Sequence, residues 1–172
     1  MQITRAGEYA ILGATYLARQ RKDQAVMIEE ICQAESIPKS FLAKIFQTLT
    51  RAGVIHSQRG VHGGFKLIRS PEQISILEIL EAIEGKIAFQ RCLQEPVDCH
   101  KMDACTLCDI FTEAQHRMKE IFQKTSLADL TRPKSEVMRR VHRLRHRRIP
   151  SNFSISDVSP RSRRKRSISA TP

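Results

Sequence analysis

The stretch that decides the fold is Ile37–Ser70, "IPKSFLAKIFQTLTRAGVIHSQRGVHGGFKLIRS". Pro38 suits the first turn of a helix, Leu42, Ile45, Phe46 and Leu49 recur at helical spacing, and Gly53 stops the run. Two strand-like runs follow, Val54–Arg59 and Phe65–Arg69, with four of the chain's seven glycines between positions 53 and 64. Just upstream, "MIEEICQAES" reads as a short helix carrying Ile28, Ile31 and Cys32 on one side, and the join at Glu35–Pro38 is tight. Two short helices joined in this way form a helix-turn-helix. A hairpin directly behind them makes it a winged helix. An unrelated hairpin would account for the strands but not for the order of the elements.

Working outward, "TRAGEYAILGATYLARQ" places Tyr9, Leu12 and Tyr16 beside Ala10, Ala14 and Leu17, which predicts a helix over about 4–20. After the hairpin, "PEQISILEILEAIEG" predicts a helix with Ile76, Ile79, Leu80 and Ile83 inward and Gly85 at its end. A longer amphipathic helix over about 106–123 carries Leu107, Ile110, Phe111, Ala114, Met118, Ile121 and Phe122. Such a stripe has to be covered, either by a partner subunit or by the first helix of the same chain. "SLADL" reads as a short terminal turn. Beyond it, "MRRVHRLRHRR" has the composition of a basic helix, followed by a Ser-, Pro- and Arg-rich stretch expected to be disordered.

The expected fold is therefore mainly α with a small β-hairpin wing, a winged helix-turn-helix head plus a long dimerisation helix. Its parts are a DNA-binding domain (1–85), a cysteine-rich loop (86–108), a dimerisation helix with a short terminal turn (106–131) and a basic disordered tail (132–172).

Charge divides along the same lines. The net charge is +11, yet residues 132–172 hold 13 Lys/Arg and two Asp/Glu, and residues 1–131 hold 16 of each. Within that neutral body the first 70 residues carry a surplus of five positive charges, and residues 71–131 the same surplus of negative ones. A basic front and an acidic cysteine-bearing half suggest an anion-binding head with a separate control module. The basic tail is either a nucleic-acid-binding arm or a solubilising extension. The longest apolar run, Ala10–Ala18, is too short to span a membrane, and "MQITRAGEYA" lacks a signal-peptide layout, so a cytoplasmic location and no membrane partner are expected. No Ser/His/Asp set, phosphate loop or paired-carboxylate site appears, so an enzyme is not expected.

The second helix of a helix-turn-helix enters the major groove with its exposed face towards the bases. Here that face carries Lys39, Ser40, Ala43, Lys44 and Gln47. Ser40 and Gln47 suit hydrogen bonds to bases, and Lys44 suits guanine or phosphate. Arg59 and His62 on the wing reach towards a flanking phosphate or minor groove, and Lys66 and Arg69 read as phosphate contacts.

Four of the five cysteines lie in Arg91–Phe111, "RCLQEPVDCHKMDACTLCDIF", at Cys92, Cys99, Cys105 and Cys108. In a reducing compartment such a cluster binds metal or does redox chemistry more often than it forms disulfides. Four thiolates suit an iron–sulfur cluster, 2Fe–2S or 4Fe–4S, and they suit zinc. With only one C-x-x-C half-site, the balance tilts towards a cluster. Cys32, on an apolar helix face, reads as a core residue.

"MQITRAGEYAILGATYLA", "IPKSFLAKIFQTLTRAGVIHSQRGVHGGFKLIRSPEQISILEILEAIEG" and the spacing of Cys92, Cys99 and Cys105 together resemble the Rrf-two family of bacterial winged-helix regulators, the group that includes IscR, NsrR and RirA. The resemblance covers roughly residues 1–131. It implies a homodimer joined through the long helix, binding a palindromic double-stranded DNA operator, with Cys92, Cys99 and Cys105 ligating a cluster whose state changes DNA affinity. For the fourth ligand it leaves two candidates, Cys108 and Glu8 of the partner subunit. Ala43 stands where some relatives carry an acidic residue, so their operator preference does not transfer. The leading expectation is a cluster-dependent repressor sensing iron–sulfur status, nitric oxide or redox stress. The alternatives are a zinc- or thiol-based DNA-binding redox regulator without a cluster, and a non-DNA-binding interaction subunit of a metabolic enzyme.

Overall fold

The computed structural model describes residues 2–21, 24–60, 63–90, 93 and 105–145, the last six by backbone alone. Helix α1 spans Arg5–Ala18, α2 Ile28–Glu35 and α3 Lys39–Arg51. Strands β1 (Ile55–Gln58) and β2 (Gly64–Leu67) follow, then a 3₁₀ turn (Pro71–Gln73), α4 (Ile76–Glu84), α5 (Thr106–Lys124), α6 (Leu127–Leu130) and α7 (Lys134–Arg145). A mainly helical chain with one two-stranded hairpin is the expected fold class.

The turn between α2 and α3 is set by Ser36, in the left-handed region at φ 54°. The Ile37 N–H closes back on the Cys32 carbonyl at 3.0 Å, and the Ile37 side chain is buried. Pro38 then caps α3 with its carbonyl, which accepts from the Phe41 and Leu42 N–H groups. Leu42, Ile45, Phe46 and Leu49 face the core, as their spacing requires. Gly13 lets α1 approach closely, because a Cβ there would lie 2.8 Å from the Phe46 ring.

β1 and β2 pair antiparallel with Ile55 opposite Leu67 and His56 opposite Lys66. Phe65 stacks edge-to-face on Phe46, ring centroids 4.9 Å apart, which fixes the wing to α3. A third backbone segment joins the hairpin, for Val26 and Phe65 exchange N–H···O bonds of 3.0 and 2.8 Å. Gly64 is what permits that approach. It sits at φ 151°, and a Cβ there would fall 2.4 Å from the Val26 carbonyl oxygen.

The segment read as a terminal turn is a short helix closed into the head. Ser126 and Asp129 form a capping box, and Leu127 and Asp129 are buried. Before it, residues 125–127 pair with residues 74–76. Ile76 N–H donates to the Thr125 carbonyl and Leu127 N–H to the Ile74 carbonyl, both at 2.9 Å, flanking a Ser75–Ser126 bridge. The long helix α5 lies on α4, with Met118 and Phe122 packed against the head core. Its first turns are different, for Leu107 and Ile110 are 58% and 63% exposed. The stripe is thus partly covered within the chain, where α5 lies on α4. The basic stretch after Pro133 is helical through Arg145. The tail expected to be disordered over 132–172 is therefore helical in its first part, and its remainder, 146–172, lies outside the described residues.

Candidate nucleic-acid interface and cysteine site

On α3, Lys39, Ser40, Lys44 and Gln47 are exposed and Ala43 is half-buried, so the predicted reading face is open along the helix. Lys39 is engaged at one end: its ammonium lies 2.5 Å from Glu29 on α2. That hydrogen bond raises the Lys39 pKa and lowers the Glu29 pKa, each helped by the opposite charge. Both side chains remain in solvent, where such a pair exchanges easily for a phosphate. Further bonds steady α2 itself, from the Tyr16 hydroxyl to Glu30 (2.8 Å) and from Arg19 to Glu35 (3.6 Å).

On the wing, Arg59 is exposed and Lys66 is half-buried opposite His56, while His62 lies outside the described residues. Arg69 is engaged within the head. Its guanidinium is held by the Glu78 carboxylate and donates to the Gln73 carbonyl at 3.4 Å. It therefore clamps the end of the wing to α4. Two further side chains on α3 are exposed that its spacing had not brought forward, Phe41 (59% exposed) and Arg51. Phe41 falls one position before the apolar stripe, and that offset is the signal that it faces outward.

Cys92 and Cys99 lie outside the described residues. Cys105 is the N-cap of α5 and makes no side-chain capping hydrogen bond; Cys108 sits in the first turn, its N–H on the Cys105 carbonyl at 3.0 Å. Neither is in a disulfide and both are half-buried. A thiolate pair at a helix N-terminus, where backbone N–H groups and the helix dipole favour negative charge, is a chemically suitable half-site for a cluster or zinc. Among the described residues no group of three or more His, Cys, Asp or Glu side chains converges on a metal-sized space. Glu8 is exposed in the first turn of α1. Cys32 is half-buried against the core, with burial, then the Glu29 charge, pushing its thiol pKa up. The loop leading towards Cys92 docks on α5, with Phe89 N–H donating to the Gln115 side chain at 2.9 Å and Ile87 buried.

A family model described as an iron-dependent transcriptional regulator, Rrf2, matches residues 3–133. The chain belongs to the Rrf2 family. A candidate HTH-type transcriptional regulator of Aquifex aeolicus is 33% identical over 124 residues, which is 71% of this chain and 85% of the relative. Among solved structures, CymR (YrzC), the global cysteine regulator of B. subtilis, superposes with a TM-score of 0.62 at 24% identity, covering 76% of this chain and 96% of the other. T. potens IscR gives 0.61 at 20% identity, covering 76% and 85%. These two likenesses establish the winged-helix fold. The Rrf2 chain is accordingly a helix-turn-helix transcriptional regulator with a DNA-binding head, and its relatives are regulators rather than enzymes. Among the described residues no helix is long and apolar enough to cross a membrane.

Proposed function

We propose that this Rrf2 protein is a homodimeric repressor whose grip on a palindromic operator depends on an iron–sulfur cluster. Ser40 and Gln47 hydrogen-bond base edges, Lys44 addresses guanine or phosphate, and Lys39, Arg59, His62 and Lys66 take backbone phosphates. Cys92, Cys99 and Cys105 hold the cluster with Cys108 as fourth ligand, Glu8 of the partner subunit being the alternative. When bound, the cluster supplies a centre whose assembly and oxidation state follow iron, nitric oxide and oxidants. The second subunit covers the exposed apolar start of α5, Leu107 and Ile110.

The observation that carries this reading is the double attachment of α5. Its N-terminus presents Cys105 and Cys108, and its C-terminus runs into the 125–127 segment hydrogen-bonded to residues 74–76 of the head. A shift at the cysteines is thereby transmitted to the base of α4. From there the Arg69–Glu78 pair reaches the wing. Regulation needs such a two-state element, biased by the ligand at one end and felt by DNA at the other.

The test is anaerobic purification with absorption and paramagnetic-resonance spectra and iron and sulfide assays, followed by operator binding with and without the cluster. A brown protein whose DNA affinity changes on cluster loss is the expected result. A colourless protein holding stoichiometric zinc sinks the cluster reading, and the thiolate set then serves the zinc or thiol-based alternative.

A further inference from the structure

The match to the family model ends at residue 133, and α7 begins at the next residue. It is not loosely tethered. α6 is seated in the head through Leu127 and Asp129, and only Thr131–Pro133 separate it from α7. The Pro133 carbonyl accepts from the Glu136 N–H at 2.8 Å, and Arg132 pairs with Asp129 at 4.0 Å. The sequence of α7, "KSEVMRRVHRLR", has five Lys/Arg against one Glu.

Those charges add to a molecule in which several other cations are already paired. Residues 1–131 are net neutral. Within the head, Arg19, Lys39 and Arg69 are held by Glu35, Glu29 and Glu78. On α5, Arg117, Lys119 and Lys124 are likewise held by carboxylates. A protein binds duplex DNA largely by neutralising phosphates and releasing their counterions. Twelve helical residues extend about 18 Å, a length of duplex that carries on the order of ten phosphate charges.

We propose that α7 is a second DNA-binding element, sequence-independent, holding backbone phosphates while α3 reads the bases. It rests on the DNA-binding reading given above. The division of labour is then base reading by the head and added electrostatic grip from α7.

The test uses the full chain, an operator selected from a pool of random duplexes, and an unrelated duplex, each titrated across a salt series. Replacing Arg139, Arg140, Arg143 and Arg145 together by Gln keeps good helix formers. Binding to both duplexes should weaken, and the slope of log affinity against log salt should become shallower by about 2 to 4 for each subunit bound, at about 0.9 for each phosphate no longer neutralised. A milder R139Q/R143Q variant should give about half that shift, which guards against a fault in folding. Q47A is the control. It should lower affinity for the selected operator and leave the unrelated duplex and the slope unchanged. If the wild type selects no operator, the DNA-binding reading fails. If it does and the four-arginine variant keeps the wild-type slope on both duplexes, this inference is overturned while that reading stands.

Discussion

Leu127→Ala tests the way the chain is closed. Leu127 has no solvent exposure and lies in the same cluster as Ala10, Ile74 and Leu80, although it follows the long helix. Its backbone N–H bond to Ile74 is untouched by the change, so the loss is of packing alone. Removing a buried leucine side chain costs about 2.7–5 kcal/mol, the spread depending on how far the site collapses. For a chain of this size each kcal/mol moves the melting midpoint by about 2–4 °C, so a loss of about 3 kcal/mol lowers it by about 6–12 °C. The assay is thermal unfolding by circular dichroism at fixed protein concentration, since any self-association shifts the midpoint. Leu107→Ala is the comparison. That side chain is mostly exposed within one chain, and its removal should cost a single subunit no more than about 0.5 kcal/mol. A Leu127→Ala midpoint within about 2 °C of wild type refutes this packing. So does a melt in two separate steps, one for α6 and one for the head.

Gly64→Ala should destabilise the head by about 1–3 kcal/mol, because φ 151° is strained for alanine and its Cβ meets the Val26 carbonyl; chemical denaturation reads the loss, and faster amide exchange at Val26 and Phe65 locates it. Cys32 should alkylate more slowly than Cys105 and Cys108 in cluster-free protein near neutral pH. Its raised pKa leaves less thiolate at a given pH, so its rate should keep climbing above the range of an ordinary thiol. Peptide mapping after timed iodoacetamide treatment measures this, and equal rates at all three cysteines would contradict it.

The helix-turn-helix and wing were legible because local signals agree there: Pro38 at a helix start, a clean apolar stripe in α3, and glycines at the hairpin. Periodicity also found α4 and α5 to within a few residues. It missed what depends on partners distant in sequence. Nothing near Arg69 announces Glu78, nine residues on, as its partner, and nothing in "RKDQAV" announces that Val26 extends the hairpin. The α6 error is different, because "SLAD" has the S-x-x-D layout of a capping box and was readable as a helix start. At the cysteines, spacing offers a candidate thiol set of which the described residues include only Cys105 and Cys108; that Cys105 stands at the N-cap position of α5 while Cys108 lies inside it follows from where the helix begins.

The pairing of residues 125–127 with 74–76 also bears on how the protein is made. Leu127 is fully buried in the core of the head, yet it is translated 42 residues after Gly85, beyond the whole cysteine segment. On the ribosome the winged helix therefore stays incomplete until those cysteines have emerged. A chain that stops before Leu127 lacks that packing and should be less stable than the full chain. Order of synthesis thus ties completion of the head core to synthesis of the cysteine segment.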